Sequence, residues 1–147
     1  MILDTTYLLP LARIDVDTDL LRASVEGRAN MELEGTAVSL ISLFELQAKA
    51  ARLGVTPVIV SEALRVINKA FRVIPFYRDE VVEMSFALKK MIPDYIDCVI
   101  LATAVTSSED LVTEDSLLLA KRDSIEEEHG IKVYSFMDLV GSKFRVK

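Results

Sequence analysis

Five short apolar segments alternate with longer stretches of helical period, and this alternation restricts the chain to few folds. The strand-like segments are residues 1–4, 36–41, 72–75, 111–113 and 131–134. Between them, apolar residues recur at helical spacing and the ends carry start and stop signals. The spacing predicts helices over 5–11 (capped by Thr5 or Thr6), 20–28, 42–53, from Thr56-Pro57 onward, 78–91, 94–106 and 115–128, with a terminal turn at 136–140. Ser42 is the expected cap of the third helix and Gly54 its stop, while Pro93 breaks the fifth. Pro57 suits a first turn, where its missing N–H has no partner to lose. Strands separated by helices pair in parallel, and a parallel sheet is covered on both faces. The expected fold is therefore α/β: a three-layer α/β/α sandwich around a central parallel sheet of four to five strands. No repeat, low-complexity tract or Pro/Gly/Ser linker divides the 147 residues, so 1–147 reads as one domain.

Composition removes several classes of function. Hydrophobic residues make up 51% of the chain, enough for a core. No apolar run approaches the ~18 residues needed to span a bilayer. Met-Ile-Leu-Asp lacks a basic leader, so no signal peptide is expected. A single cysteine, Cys98, cannot form an intrachain disulfide and suits a reducing compartment. The expectation is a cytoplasmic protein with no membrane association. The net charge of -6 argues against charge-driven binding to nucleic-acid backbone by the chain alone. A nucleic-acid enzyme stays open, because clustered carboxylates contribute to that total and bound cations reverse the field locally. With one histidine and one cysteine, a tetrahedral zinc site does not fit.

Four acids stand at four apolar-to-polar junctions. Asp4 follows Met-Ile-Leu, Glu45 lies in Ser-Leu-Phe-Glu-Leu, Asp97 opens Asp-Cys-Val-Ile-Leu-Ala-Thr-Ala, and Asp115 closes Leu-Val-Thr-Glu-Asp. Carboxylates rarely go deep into a core without compensation of their charge. Four at the edges of segments built for burial point to one shared compensator, and hard oxygen ligands suit magnesium or manganese. In parallel sheets, ligands bind beyond the carboxyl ends of the strands. Asp4 and Asp115 fall just past such ends, Glu45 starts the helix after another strand, and Asp97 joins them from a helix start. Each acid alone has an ordinary reading, as a helix cap or as a first-turn acid favoured by the helix dipole.

The ordered set resembles the PIN domain family, particularly the small VapC-like prokaryotic toxins. The opening Met1-Ile2-Leu3-Asp4-Thr5-Thr6 is similar to that family's strand ending in Asp-Thr. Glu45 follows a serine-containing turn, Asp97 opens an Ala-rich helix, and Leu111-Val112-Thr113-Glu114-Asp115 matches the fourth motif. Two departures concern substrate detail. Ser107-Ser108-Glu109-Asp110 replaces a common glycine, and Ser116-Leu117 replaces an aromatic. The resemblance implies a single PIN-like nuclease domain over 1–147. It implies a metal-dependent endoribonuclease that cuts single-stranded RNA to leave 5'-phosphate and 3'-hydroxyl ends. Asp4, Glu45, Asp97 and Asp115 would hold one or two Mg2+ or Mn2+ ions. It also implies a homodimer and an antitoxin partner that fills an apolar groove, for which residues 55–71 are a candidate and core packing the alternative. Other readings are an RNA-processing or quality-control PIN nuclease without antitoxin, and a catalytically silent PIN binding module.

Further residues carry two readings each. Asp94 lies one helical turn before Asp97; it caps that helix or adds a ligand through water. Thr113 and Thr5 are candidates to orient a ligand or water, with strand-end packing and capping as the alternatives. Lys49 and Arg52 follow Glu45 at i+4 and i+7 and suit phosphate, or a solvated face. Asp15, Asp17, Asp19 and Glu26 match ligand positions of a calcium loop, but Leu20 stands where its turn needs glycine. They are read as capping and solvating the second helix. His129 reads as an exposed helix end. Lys143, Arg145 and Lys147 form a basic tail, read either as a disordered end or as an RNA contact.

Overall fold

The computed structural model describes the backbone of residues 1–145 and the side chains of residues 1–141. The basic tail of Lys143, Arg145 and Lys147 lies outside the described side chains. The chain runs β1 (Ile2–Leu3), a 3-10 helix (Thr5–Ala12), α1 (Leu20–Val25), β2 (Ala37–Ser39), α2 (Leu40–Arg52), α3 (Pro57–Ala70), β3 (Arg72–Ile74), α4 (Asp79–Leu88), α5 (Tyr95–Ser107), β4 (Leu111–Val112), α6 (Ser116–Ala120), α7 (Arg122–His129), β5 (Val133–Tyr134) and α8 (Phe136–Arg145).

All five strands are parallel, in the order β3-β2-β1-β4-β5. Ile2 pairs with Ala37 and Leu111, and Leu3 with Val38 and Val112. Alternation along each strand sends successive side chains to opposite faces. Leu3, Val38 and Val112 enter one core with the 3-10 helix, α1, α2, α3 and α8. Ile2, Ala37, Ile74, Leu111 and Val133 enter the other with α4, α5, α6 and α7. Two cores on one sheet make the α/β sandwich that the alternation predicts. α5 is buried without a break from Cys98 to Ala104, which explains why its sequence is apolar on every side. Each fully buried Leu or Ile in it, such as Ile100 and Leu101, contributes about 1.5–3 kcal/mol by leaving water.

The elements differ from the expected ones in four places, two of them caps. Asp4, not Thr5 or Thr6, caps the first helix through the Thr5 N–H. That helix is 3-10, and Pro10 within it has no N–H to donate. Ser39, not Ser42, caps α2, its hydroxyl accepting from Ile41 N at 3.3 Å. β2 therefore ends at Ser39, and Leu40 and Ile41 are helical. The stretch 115–128 is broken at Lys121, whose φ of -96° and ψ of 7° leave helical values, so α6 and α7 are separate. The expected turn at 136–140 is the start of α8. Among the described residues, no helix is long and apolar enough to cross a membrane.

Candidate active site

The sheet register sets the site. Leu3 lies beside Val38 and Val112, so the chain leaves β1, β2 and β4 at one rim. A cleft of about 330 Å³ opens there. It is lined by the predicted Asp4, Glu45, Asp97 and Asp115, with Glu114, Thr5, Thr6 and Leu9. Lys49 and Arg52 line the same cleft. Both are exposed on α2, and neither has an ion pair among the described residues.

Hydroxyls and amides hold the acids in place. Asp4 Oδ1 accepts from Thr5 N at 2.7 Å, and its Oδ2 accepts from Thr113 Oγ1 at 2.6 Å. Thr113 Oγ1 in turn accepts from Asp115 N at 3.0 Å. Asp115 Oδ1 caps α6, accepting from Leu118 N at 2.9 Å. Thr5 Oγ1 donates to Glu45 Oε1 at 2.6 Å, joining the acid of α2 to the start of the 3-10 helix. Asp97 sits in the first turn of α5. Thr5 and Thr113 are both buried, so their hydroxyls act as fixed donors. Asp94 lies outside the cleft lining and is exposed. Its Oδ1 accepts from Ile96 N at 2.8 Å and Asp97 N at 3.2 Å, the geometry of a helix cap.

The electrostatics of the cleft are those of excess negative charge. Burial pushes the Asp97 carboxyl up to about 7, and Asp115, Asp94, Asp4 and Glu45 push it the same way. Burial also raises Asp4 to about 6. Its bonds from Thr113 and Thr5 oppose that rise, while Glu45 and Asp115 add to it. Such shifts mark carboxylates that lack a counter-charge.

The donor set fits a hard divalent cation: carboxylates and hydroxyls line the cleft, with no thiol or imidazole among the lining residues. Among the described residues, no three His, Cys, Asp or Glu side chains are drawn into a ligating group.

Glu114 is the site residue that reading the sequence for separate acids passes over. Its Oε2 accepts from Tyr7 Oη and, at 2.7 Å, from Phe136 N. The only sequence signal is its place between Thr113 and Asp115.

The remaining acids lie elsewhere. Asp15, Asp17, Asp19 and Glu26 line a separate cleft of about 660 Å³ with Arg22 and Arg28. Asp19 caps α1, and Glu26 is paired with Arg22 at 2.8 Å and Arg28 at 3.1 Å. His129 closes α7 but is half-buried, not exposed, and stands 3.8 Å from Glu128.

The fold is a parallel α/β sandwich with an acidic cleft at the strand ends, and the comparisons place it in a family. The PIN domain profile matches residues 1–123, and the chain belongs to the PIN domain family. PIN domains are in general nucleases that use divalent metals. Three solved structures share the fold. FitAcB from Neisseria gonorrhoeae has a TM-score of 0.66 at 19% identity, covering 94% of this chain and 99% of that one. FitAB bound to an IR36 DNA fragment has a TM-score of 0.63 at 18% identity, covering 92% and 94%. A toxin-antitoxin complex from Klebsiella pneumoniae has a TM-score of 0.56 at 22% identity, covering 78% and 86%. No curated protein gives a significant sequence match.

Proposed function

We propose that this chain, over 1–147, is a metal-dependent endoribonuclease acting on single-stranded RNA and the toxin of a toxin-antitoxin pair. The observation that carries the reading is the convergence of Asp4, Glu45, Asp97 and Asp115 on one cleft with Lys49 and Arg52. Bound magnesium or manganese, one ion or two, would supply water activation and neutralise charge developing on the phosphate. Asp4, Glu45, Asp97 and Asp115 would be its ligands. Thr113 and Thr5 fix Asp4 and Glu45 so that little ordering remains when the cation binds. Lys49 and Arg52 hold the phosphates on either side of the cut. Water adds to phosphorus, the P–O3' bond breaks, and the 3' oxygen takes a proton, leaving 5'-phosphate and 3'-hydroxyl ends. Asp94 serves α5 as its cap and stays outside the ligand set.

The toxin reading draws on the toxin-antitoxin complex among the similar structures. It also draws on an apolar groove of about 430 Å³ lined by Leu40, Leu43, Phe44, Leu64 and Phe76. Phe44 is 63% exposed there, which suits an antitoxin segment. In the stretch 55–71, Ala63, Ile67 and Phe71 are core, whereas Val58 and Val66 are exposed and available to a partner or a second copy in a homodimer.

The test is incubation of purified protein with structured and unstructured RNAs, with and without manganese, followed by mapping of cut ends. Manganese-dependent cuts in unpaired RNA with 5'-phosphate ends are expected. A folded protein that binds RNA and cuts none would instead be a silent PIN module. A neighbouring gene for a small DNA-binding protein favours the toxin over an RNA-processing or quality-control nuclease.

A further inference from the structure

Glu114 lines the cleft, yet the reading above gives it no part. Its Oε2 is held from two sides. Tyr7, fully buried on the 3-10 helix, donates its hydroxyl, and the Phe136 N–H at the start of α8 donates at 2.7 Å. The two donors lie 107 and 22 residues away in sequence, so the contact is made only by the folded chain. Its other oxygen, Oε1, has no hydrogen-bond partner among the described residues. A carboxylate serving only as a staple would need neither a free oxygen nor a place on the cleft wall. An uncharged amide would accept the same two bonds.

We infer that Glu114 is a further carboxylate of the cation site, held by Tyr7 and the Phe136 amide, and that Tyr7 is a positioning residue for it. The inference rests on the metal-dependent reading of the cleft. In it, Glu114 Oε1 would add negative charge and an oxygen, directly or through water, to the cation that Asp4, Glu45, Asp97 and Asp115 would hold. Partners that orient a ligand typically affect metal affinity by about 10–100-fold.

Manganese calorimetry on the intact chain tests this, with melting curves in chelator as a second readout. The variants are Glu114→Gln, Tyr7→Phe, their double, and Asp97→Asn as control. Glutamine keeps an acceptor for both donors and loses the charge. Glu114→Gln should weaken manganese binding by about tenfold with the chelator melting curve unchanged or raised. Tyr7→Phe should weaken it less, and the double should match Glu114→Gln alone, since both act through one carboxylate. Wild-type manganese affinity in Glu114→Gln, with affinity lost in Asp97→Asn, would overturn the inference and leave Glu114 a staple. Wild-type affinity in both would overturn the reading of the cleft itself. If Tyr7→Phe does not fold, Glu114→Gln against Asp97→Asn decides alone.

Discussion

Thr113 donates its hydroxyl to Asp4 Oδ2 at 2.6 Å and accepts the Asp115 N–H with the same oxygen. One buried side chain thus fixes the first and last acids of the cleft, across the β1–β4 pair. Thr113→Val keeps the shape and removes the hydroxyl. It should cost about 1–2 kcal/mol of stability, because a buried carboxylate oxygen loses its donor. Manganese affinity should fall about tenfold, as Asp4 loses its orientation. Urea melts and calorimetry check both figures.

The raised carboxyls predict an unusual pH response in chelator. Burial lifts Asp97 to about 7 and Asp4 to about 6, above the ordinary aspartate value of 3.8. The folded state therefore binds more protons than the unfolded state between those values, and stability rises as pH falls through about 7 and 6. The metal-free melting temperature should climb from pH 8 to pH 5. Toward pH 4 it should turn over. Burial pushes Glu109 and Asp138 up, but bonds to the N-terminal amine and Arg72, and to Ser135 and Arg122, outweigh it and hold both carboxyls low. Asp97→Asn should flatten the upper part of the curve. Saturating manganese should reverse its slope, because protons compete for the same oxygens. A melting temperature that falls steadily from pH 8 to pH 5 in chelator would contradict the placement of these acids.

Asp94 and Asp97 separate by substitution. Asp94→Asn keeps the cap to Ile96 and Asp97 N–H and should leave activity and stability near wild type, while Asp94→Ala should cost about 1 kcal/mol. Asp97→Asn should abolish manganese-dependent cleavage. Equal loss of activity in Asp94→Asn and Asp97→Asn would move Asp94 into the ligand set.

How far the sequence could be read depended on whether a feature was local. The acids at strand ends were legible because β strands here end where polarity begins, and the parallel register brings those ends together. The cap of α2 was not, because Ser39 and Ser42 are both good caps and Leu40-Ile41 suits a strand as well as a helix. The break at Lys121 carries no glycine or proline to announce it. Glu114 stood in plain view beside Asp115, but its hold on the site comes from Tyr7 and the Phe136 amide, far away in sequence.

The acids around Asp15 make a different prediction. Asp19 caps α1, Glu26 is spent on Arg22 and Arg28, and Leu20 stands at the turn position. Replacing Asp15, Asp17 and Asp19 with Asn should leave nuclease activity and the calcium isotherm unchanged. A calcium-binding event that vanishes in this triple variant but persists in Asp4→Asn would make the loop a true site.

The central claim is that the cleft acids hold a divalent cation that drives RNA cleavage. Its most direct measurement is cleavage of an end-labelled single-stranded RNA by wild type and Asp4→Asn, across a manganese series, with calorimetry on the same preparations. Wild type should cut only with manganese. Asp4→Asn should cut about 100-fold more slowly or worse and bind manganese weakly, while melting at or above the wild-type temperature in chelator. Wild-type cleavage and wild-type manganese affinity in Asp4→Asn would contradict the claim.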